Sequence, residues 1–385
     1  MPYCKGKKIL FLIPSYEIGG AERQVSNLAI YFAERGASVS VLSLDGKNSG
    51  PLYSQLQQKK INCYSIPIDI YFFDKFKNYL PTPSNLPFLK KMFAQIRKIK
   101  KIFKSIKPEI IFPFCYTPNV LANNFYDTRN SFCLWNQRDL GIPPFNRSFY
   151  EKRALKRTKK IIANSEAGAQ YIAETTGLPI TGIQIITNAV ALEPAKITRE
   201  EFRLKHNIAK ETVLITMLAN FSNNKDQDTV VRAMKLIANK NCKLLLVGRF
   251  DGAEKNILHL INELELKNDV IILPFSDDVS GIYSASDIAV HSSLSEGLPN
   301  SLLEAMSCGL PVVASDISSH RMVLEGDKNI LFEPKNSADL AKKINALINN
   351  KELRTKYGST FKKMIETKYT LNKVAEQYLQ LACAS

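Results

Sequence analysis

Short unbroken runs of Val, Ile, Leu and Phe, each bounded by polar or turn-forming residues and followed by an amphipathic stretch, recur along this chain. A continuous apolar run is what a strand buried on both faces requires, and strands alternating with helices pack as parallel sheets covered on both sides. In the first half Lys8–Pro14 reads as such a strand, Gly19-Gly20 as a tight turn, Ala21–Arg35 as an amphipathic helix and Ser38–Leu44 as the next strand. Glu109–Pro113, Ser131–Asn136 and Lys160–Asn164 follow, the last before a helix from Ser165. In the second half the pattern predicts strands at Thr212–Leu218, Lys243–Val247, Val270–Leu273, Ile288–His291 and Pro311–Ala314. Helices are predicted between them at Gln227–Ala238, Glu254–Leu264 and Pro299–Ser307. The whole is an α/β chain of two Rossmann-like, doubly wound parallel-sheet units in tandem, with a cleft expected between them. The boundary falls near Ala189–Thr198, after the strand-like Ile183–Ile186, giving domains of residues 1–192 and 193–365. A terminal segment, 366–385, contains a helix at Lys368–Leu381.

Several classes of protein are excluded at this stage. No run of about 18 apolar residues exists, so no membrane-spanning helix is expected. The apolar run Ile9–Ile13 stops at Pro14, too short for a signal-peptide core, and a cytoplasmic location is expected. Seven scattered cysteines without a Cys-x-x-Cys, and four histidines (His206, His259, His291, His320) without a ligand spacing, predict buried free thiols and no metal site. Charge is unevenly divided. Residues 1–195 hold 27 Lys+Arg against 13 Asp+Glu, a net of +14, while residues 196–385 hold 25 against 23, a net of +2. Two units with different partners follow from that contrast.

The residues richest in chemistry run from Ser295-Glu296-Gly297-Leu298-Pro299-Asn300-Ser301 through Glu304 to Cys308-Gly309-Leu310-Pro311-Val312-Val313. A strand ends at His291, a Gly-containing turn follows, and Pro299 suits the first position of a helix, where a missing N–H costs nothing. The amides of Asn300 and Ser301 at that helix start, with the helix dipole, suit a phosphate. Glu304, one turn further on, is placed to accept two neighbouring hydroxyls. Taken alone, Glu296 reads sooner as an ordinary helix-start acid and Glu304 as a solvated helix acid. Earlier, the strand Leu214–Asn220 runs into Phe221-Ser222-Asn223-Asn224-Lys225, where Lys225 sits at a strand-to-helix mouth as a compact cation. Asp226-Gln227-Asp228 looks like a metal-binding Asp-x-Asp, but its position makes it a helix cap. Gly19-Gly20 before Ala21-Glu22-Arg23 lets backbone approach a ligand closely. Gly248 and Gly252 stand after the strand ending at Val247, and Leu273-Pro274-Phe275 closes the next one.

The string from Glu296 to Ala314 resembles the Glu-x7-Glu signature of retaining glycosyltransferases of family 4, whose fold is the two-Rossmann GT-B architecture. The resemblance implies that Glu296, with the turn Gly297-Leu298-Pro299, contacts the donor sugar and that Glu304 holds the nucleotide ribose. It implies that Asn300, Ser301 and Lys225 meet the diphosphate, and that Gly19, Gly20 and Gly248 lie against the donor. Similar members carry Arg where this chain has Asn220, so one cation stands where two are usual. Many members also present a histidine from the N-terminal domain, whereas this chain reads Trp135-Asn136-Gln137-Arg138-Asp139. Arg138 or Asp139 then faces the sugar, or the two form a structural ion pair. In this architecture the last helix commonly packs back on the first domain. The implied activity is transfer from a nucleotide-diphosphate sugar to an acceptor hydroxyl, with no metal or other cofactor. A nucleotide-sugar epimerase or phosphorylase, and a catalytically silent nucleotide-sugar-binding scaffold, are the competing readings.

The basic half suggests the acceptor. Leu89–Lys107 carries Lys90, Lys91, Arg97, Lys98, Lys100, Lys101, Lys104 and Lys107 with no acid, while Leu89, Met92, Phe93, Ile96, Ile99, Phe103 and Ile106 recur at helical spacing. The aromatic and basic stretch Tyr71–Tyr79 and the run Arg147–Lys160 add to it. An anionic membrane surface and a lipid-linked glycan acceptor fit this face. With no recognised nucleic-acid module present, nucleic acid is not an expected partner.

Overall fold

The computed structural model describes residues 4–68, 86–138, 140, 149–239, 241–250 and 252–383. The stretch Tyr71–Tyr79, Asp139 and Arg147 lie outside the described residues, as do the side chains of Leu89 and Met92. The chain divides into two compact units, one of residues 1–189 and 371–385, the other of residues 190–370.

In the first unit the strands are β1 (Lys8–Ile13), β2 (Ser38–Ser43), β3 (Asn62–Ser65), β4 (Ile110–Pro113), β5 (Phe132–Gln137), β6 (Lys160–Ala163) and β7 (Ile183–Ile185). They form one parallel sheet in the order β3-β2-β1-β4-β5-β6-β7. Alternate residues of β1 serve opposite cores. Phe11 packs with Phe32 and Phe112 on one face, while Leu10 and Leu12 pack with Ile111 and Trp135 on the other. That two-sided burial is why the strand reads as an uninterrupted apolar run. The helix Leu86–Ile106 buries Ile99 and Phe103 in the second of these cores and leaves Lys90, Lys91, Arg97, Lys98, Lys100, Lys101 and Lys104 exposed. The final helix, Leu371–Cys383, places Val374, Ala375, Tyr378, Leu379 and Leu381 in the core that holds Phe11 and Phe112.

In the second unit the strands are β8 (Val213–Leu218), β9 (Cys242–Val247), β10 (Val270–Leu273), β11 (Ile288–His291), β12 (Val312–Ser315) and β13 (Leu331–Phe332), parallel, in the order β10-β9-β8-β11-β12-β13. The order reverses between β8 and β11, and in such sheets ligands bind beyond the strand ends at that reversal. The first unit has the equivalent point between β1 and β4.

Two helix limits differ from the sequence expectation. Pro299 is not the first helical residue; it is the N-cap of the helix Asn300–Ser307, with φ −77° and ψ 112°. Extended backbone is what an N-cap adopts, and proline's fixed φ accommodates it. The terminal helix begins at Leu371, not at Lys368. That residue ends a separate helix, Lys351–Lys368, and the break falls at Tyr369–Thr370. The main chain there pairs with Val190, whose N–H donates to the Tyr369 carbonyl at 2.9 Å.

Candidate active site

Two turns meet at the reversal in the second unit. One leaves β8 and carries Lys225; the other leaves β11 and carries Glu296. They are stitched together through main-chain and side-chain bonds. Asn224 Nδ2 donates to the Ser295 carbonyl at 2.8 Å, and Leu294 N–H donates to the Asn224 carbonyl at 2.8 Å. Ser292 Oγ donates to the carbonyls of Lys225 (2.7 Å) and Asp226 (3.0 Å). Across this seam Lys225 Nζ forms an ion pair with Glu296 Oε1, and Ser293 Oγ donates to the same oxygen at 2.7 Å.

The helix Asn300–Ser307 follows, with no side-chain hydrogen bond at its N-cap and no acid in its first turn. Its start therefore keeps its positive end. Gly297 and Ser301 are half-buried and Leu298 is buried. Ser301 Oγ lies 3.4 Å from His291 Nδ1, and the Ser301 carbonyl accepts from the Tyr283 hydroxyl at 2.9 Å. Glu304, on the second turn, is only 7% exposed.

Asn220, exposed at the end of β8, accepts the Arg249 N–H on its Oδ1 at 3.3 Å. Gly248 is buried just before it, and a Cβ there would run into the Ala219 carbonyl oxygen, so only glycine lets the ends of β8 and β9 approach. Asp226 and Asp228 serve the protein itself. Asp226 is the N-cap of the helix Gln227–Leu236 in the left-handed region, and its Oδ2 accepts from the Thr229 hydroxyl at 2.7 Å. Asp228 pairs with Arg232 at 2.8 Å. Among the described residues no group of three or more His, Cys, Asp or Glu is drawn together as a metal would need.

Sequence reasoning passed over two features here. Arg249, one residue past Gly248, holds its guanidinium carbon 5.0 Å from the Phe275 ring centroid. A cation directly after a strand-end glycine was the available signal. His291 and His320, 29 residues apart, meet edge to face with ring centroids 6.4 Å apart, and the Nε2 of each is buried without a partner. Burial pushes both imidazoles down, His291 well below its ordinary range and His320 to about 4, so both are neutral. Nothing in their spacing marks them as neighbours; the adjacency comes from β11 lying beside the segment that follows β12.

In the first unit Gly19 is the N-cap of the helix Gly20–Glu34, six residues past the end of β1, and its carbonyl accepts from Arg23 N–H at 3.0 Å. Arg138, at the end of β5, does not reach outward: it is 8% exposed. Its guanidinium donates to Asn188 Oδ1 and, at 3.3 Å, to the Tyr378 hydroxyl, and it stacks 4.8 Å from the Phe114 ring centroid. A cation so engaged clamps the last helix to the strand ends.

Comparison with known proteins agrees with this architecture. The model of the Glycosyltransferase Family 4 domain matches residues 18–194, and that of Glycosyl transferases group 1 matches residues 198–364. An uncharacterized glycosyltransferase of Haemophilus influenzae is 26% identical over 387 residues, covering 97% of this chain and 99% of that protein. The N-acetylgalactosamine-N,N'-diacetylbacillosaminyl-diphospho-undecaprenol 4-alpha-N-acetylgalactosaminyltransferase of Campylobacter jejuni is 24% identical over 307 residues, 78% of this chain and 73% of its own. Among solved structures, Anabaena HepE in complex with UDP and glucose superposes with a TM-score of 0.81 at 20% identity, covering 98% of this chain and all of that one. Two doubly wound units, a charged seam at the strand reversal and both family models place the chain in glycosyltransferase family 4, with the GT-B fold.

Proposed function

We propose that this glycosyltransferase moves a hexosyl or N-acetylhexosaminyl group from a nucleotide-diphosphate sugar to an acceptor hydroxyl with retention of anomeric configuration. The observation that carries the reading is the Lys225–Glu296 pair lying across the strand reversal, beside an uncapped helix start. Lys225 and the first-turn amides of Asn300 and Ser301 take the diphosphate, Glu304 the ribose and Glu296 the sugar. Asn220 carries no charge, and Arg249, bonded to it through the main chain, brings a guanidinium to the same strand ends. Aligned dipoles and fixed cations stabilise the departing nucleoside diphosphate without a metal. The UDP and glucose bound by the Anabaena protein support a nucleotide-sugar donor.

The acceptor in this reading is a lipid-linked glycan at an anionic membrane surface, as in cell-surface polysaccharide synthesis. Among the described residues no helix is long and apolar enough to cross a membrane, and the contact in this reading is a peripheral one. The helix Leu86–Ile106 turns its lysines outward beside Phe93, which is 53% exposed. Each basic residue near anionic lipid contributes about 1 kcal/mol. The Campylobacter relative, named for a diphospho-undecaprenol substrate, supports the same class of acceptor.

The test is a screen of nucleotide sugars for thermal stabilisation, followed by transfer of labelled sugar to membrane lipid extracts. One nucleotide sugar is expected to raise the melting temperature and to label lipid with the anomeric configuration of the donor. Glu304→Ala is expected to weaken nucleotide binding about tenfold, the size of one lost charged hydrogen bond. Donor consumption without acceptor would instead indicate an epimerase or a phosphorylase.

A further inference from the structure

Lys225 and Glu296 are each other's partner in the structure, yet the function proposed above needs both for the donor. The pair is not a loose surface contact: the two side chains are 26% and 16% exposed, and Ser293 Oγ holds the same carboxylate oxygen at 2.7 Å. Nor can the turns drift apart easily, because Asn224 and Ser292 tie one to the other. A ligand that takes the ammonium therefore leaves Glu296 in place, half-buried, with its compensating charge withdrawn. It also brings phosphate charge to the same seam, and like charges at short range disfavour one another.

What happens next depends on the ligand. A carboxylate only accepts hydrogen bonds, and a sugar attached to the diphosphate offers hydroxyl donors to it. A nucleoside diphosphate offers none there; its terminal phosphate adds negative charge where the sugar had been. We propose that Glu296 is an internal competitor for Lys225 that distinguishes the intact donor from the nucleoside diphosphate product. It is compensated by sugar hydroxyls while donor is bound, and after transfer it reclaims the ammonium and promotes product release. This inference rests on the donor site proposed above.

The experiment is calorimetric titration with UDP, GDP, ADP and CDP of the wild-type chain and of Glu296→Gln, Glu296→Asp, Lys225→Ala and Glu304→Ala. Glu296→Gln removes the charge and keeps the shape, and it is expected to bind the preferred nucleoside diphosphate about tenfold more tightly than wild type. Affinity for the nucleotide sugar found in the screen is expected to stay level or fall, so the ratio of the two affinities moves by at least that factor. Glu296→Asp keeps the charge and is expected to stay near wild type in its diphosphate affinity. If Glu296→Gln binds the diphosphate no better while Lys225→Ala binds it worse, the site stands and the competitor does not. An equal gain for diphosphate and nucleotide sugar also overturns it, leaving general electrostatic repulsion. If Lys225→Ala and Glu304→Ala both leave diphosphate binding intact, the donor-site reading itself fails.

Discussion

Burial strips the imidazole of His320 of water and lowers its pKa from 6.5 to about 4, against weaker upward pulls from the Ser315 carbonyl and the Glu296 charge. The unfolded chain takes up that proton near pH 6.5 and the native state refuses it until about pH 4. The unfolded state thus binds more protons across this window, and stability falls as the pH is lowered through it. The interval corresponds to about 3 kcal/mol at its acid end and to nothing above pH 7. His291, whose pKa is pushed down for the same reason, acts in the same direction. In His320→Gln the slope of the urea midpoint against pH between 6.5 and 4.5 is therefore expected to be shallower than in wild type. Equal slopes would mean that the ring is not sealed from water. The residues of the site were unequally legible. Glu296 and Glu304 stand out through the Glu-x7-Glu string they belong to, and Lys225 only beside that string; taken singly, each reads as an ordinary charged residue. The histidine pair is invisible in sequence, since only the sheet order brings it together, and the burial of Arg138 depends on a helix about 240 residues further on.

Elements were most legible where burial is two-sided. β11, buried at all four positions, begins and ends as its pattern predicts, because a strand covered on both faces has no polar alternation to blur its limits. The strand Asn62–Ser65 was not legible: it lies at the sheet edge, half-exposed, and carries Asn, Cys, Tyr and Ser. Helix limits were set by contacts far along the chain, as at Tyr369–Thr370. Such a contact also fixes the helix that bears Glu304. Just after it, Gly309 has a φ of +73°, and a Cβ at Gly358 on the helix Lys351–Lys368 would run into the Gly309 carbonyl oxygen. In an open helix, glycine to alanine gains about 1 kcal/mol. Here the backbone on the other side cannot yield as a side chain would, and overpacking of this kind costs about 1–3 kcal/mol. Gly358→Ala is accordingly expected to lower the urea midpoint and to weaken nucleotide binding through displacement of Glu304. A raised midpoint would show that the two segments do not touch.

At the scale of the whole chain, the second unit is continuous from Val190 to Thr370, whereas the first is completed only by residues 371–385. No periodicity in the sequence announces that return; a terminal amphipathic helix could cover either unit. What binds it to the first is apolar packing by Val374, Leu379 and Leu381 and a ring contact between Tyr378 and Phe112, with centroids 5.2 Å apart. The Tyr378 hydroxyl adds bonds from Asn136 (3.0 Å) and Arg138 (3.3 Å). Exposing those apolar side chains costs on the order of 6–8 kcal/mol, comparable to the whole stability of about 5–15 kcal/mol of an ordinary domain. It also leaves Arg138 and Asn136 buried with fewer partners. A chain ending at Thr370 should therefore keep residues 190–370 folded and lose the first unit. Limited proteolysis with mass spectrometry reads this directly. A resistant fragment near residues 190–370 is expected, with cleavage throughout residues 1–189, while the full chain resists in both units. Equal resistance of both halves in the shortened chain would mean that the first sheet is stable without its last helix, and Arg138 would then need a purpose other than clamping.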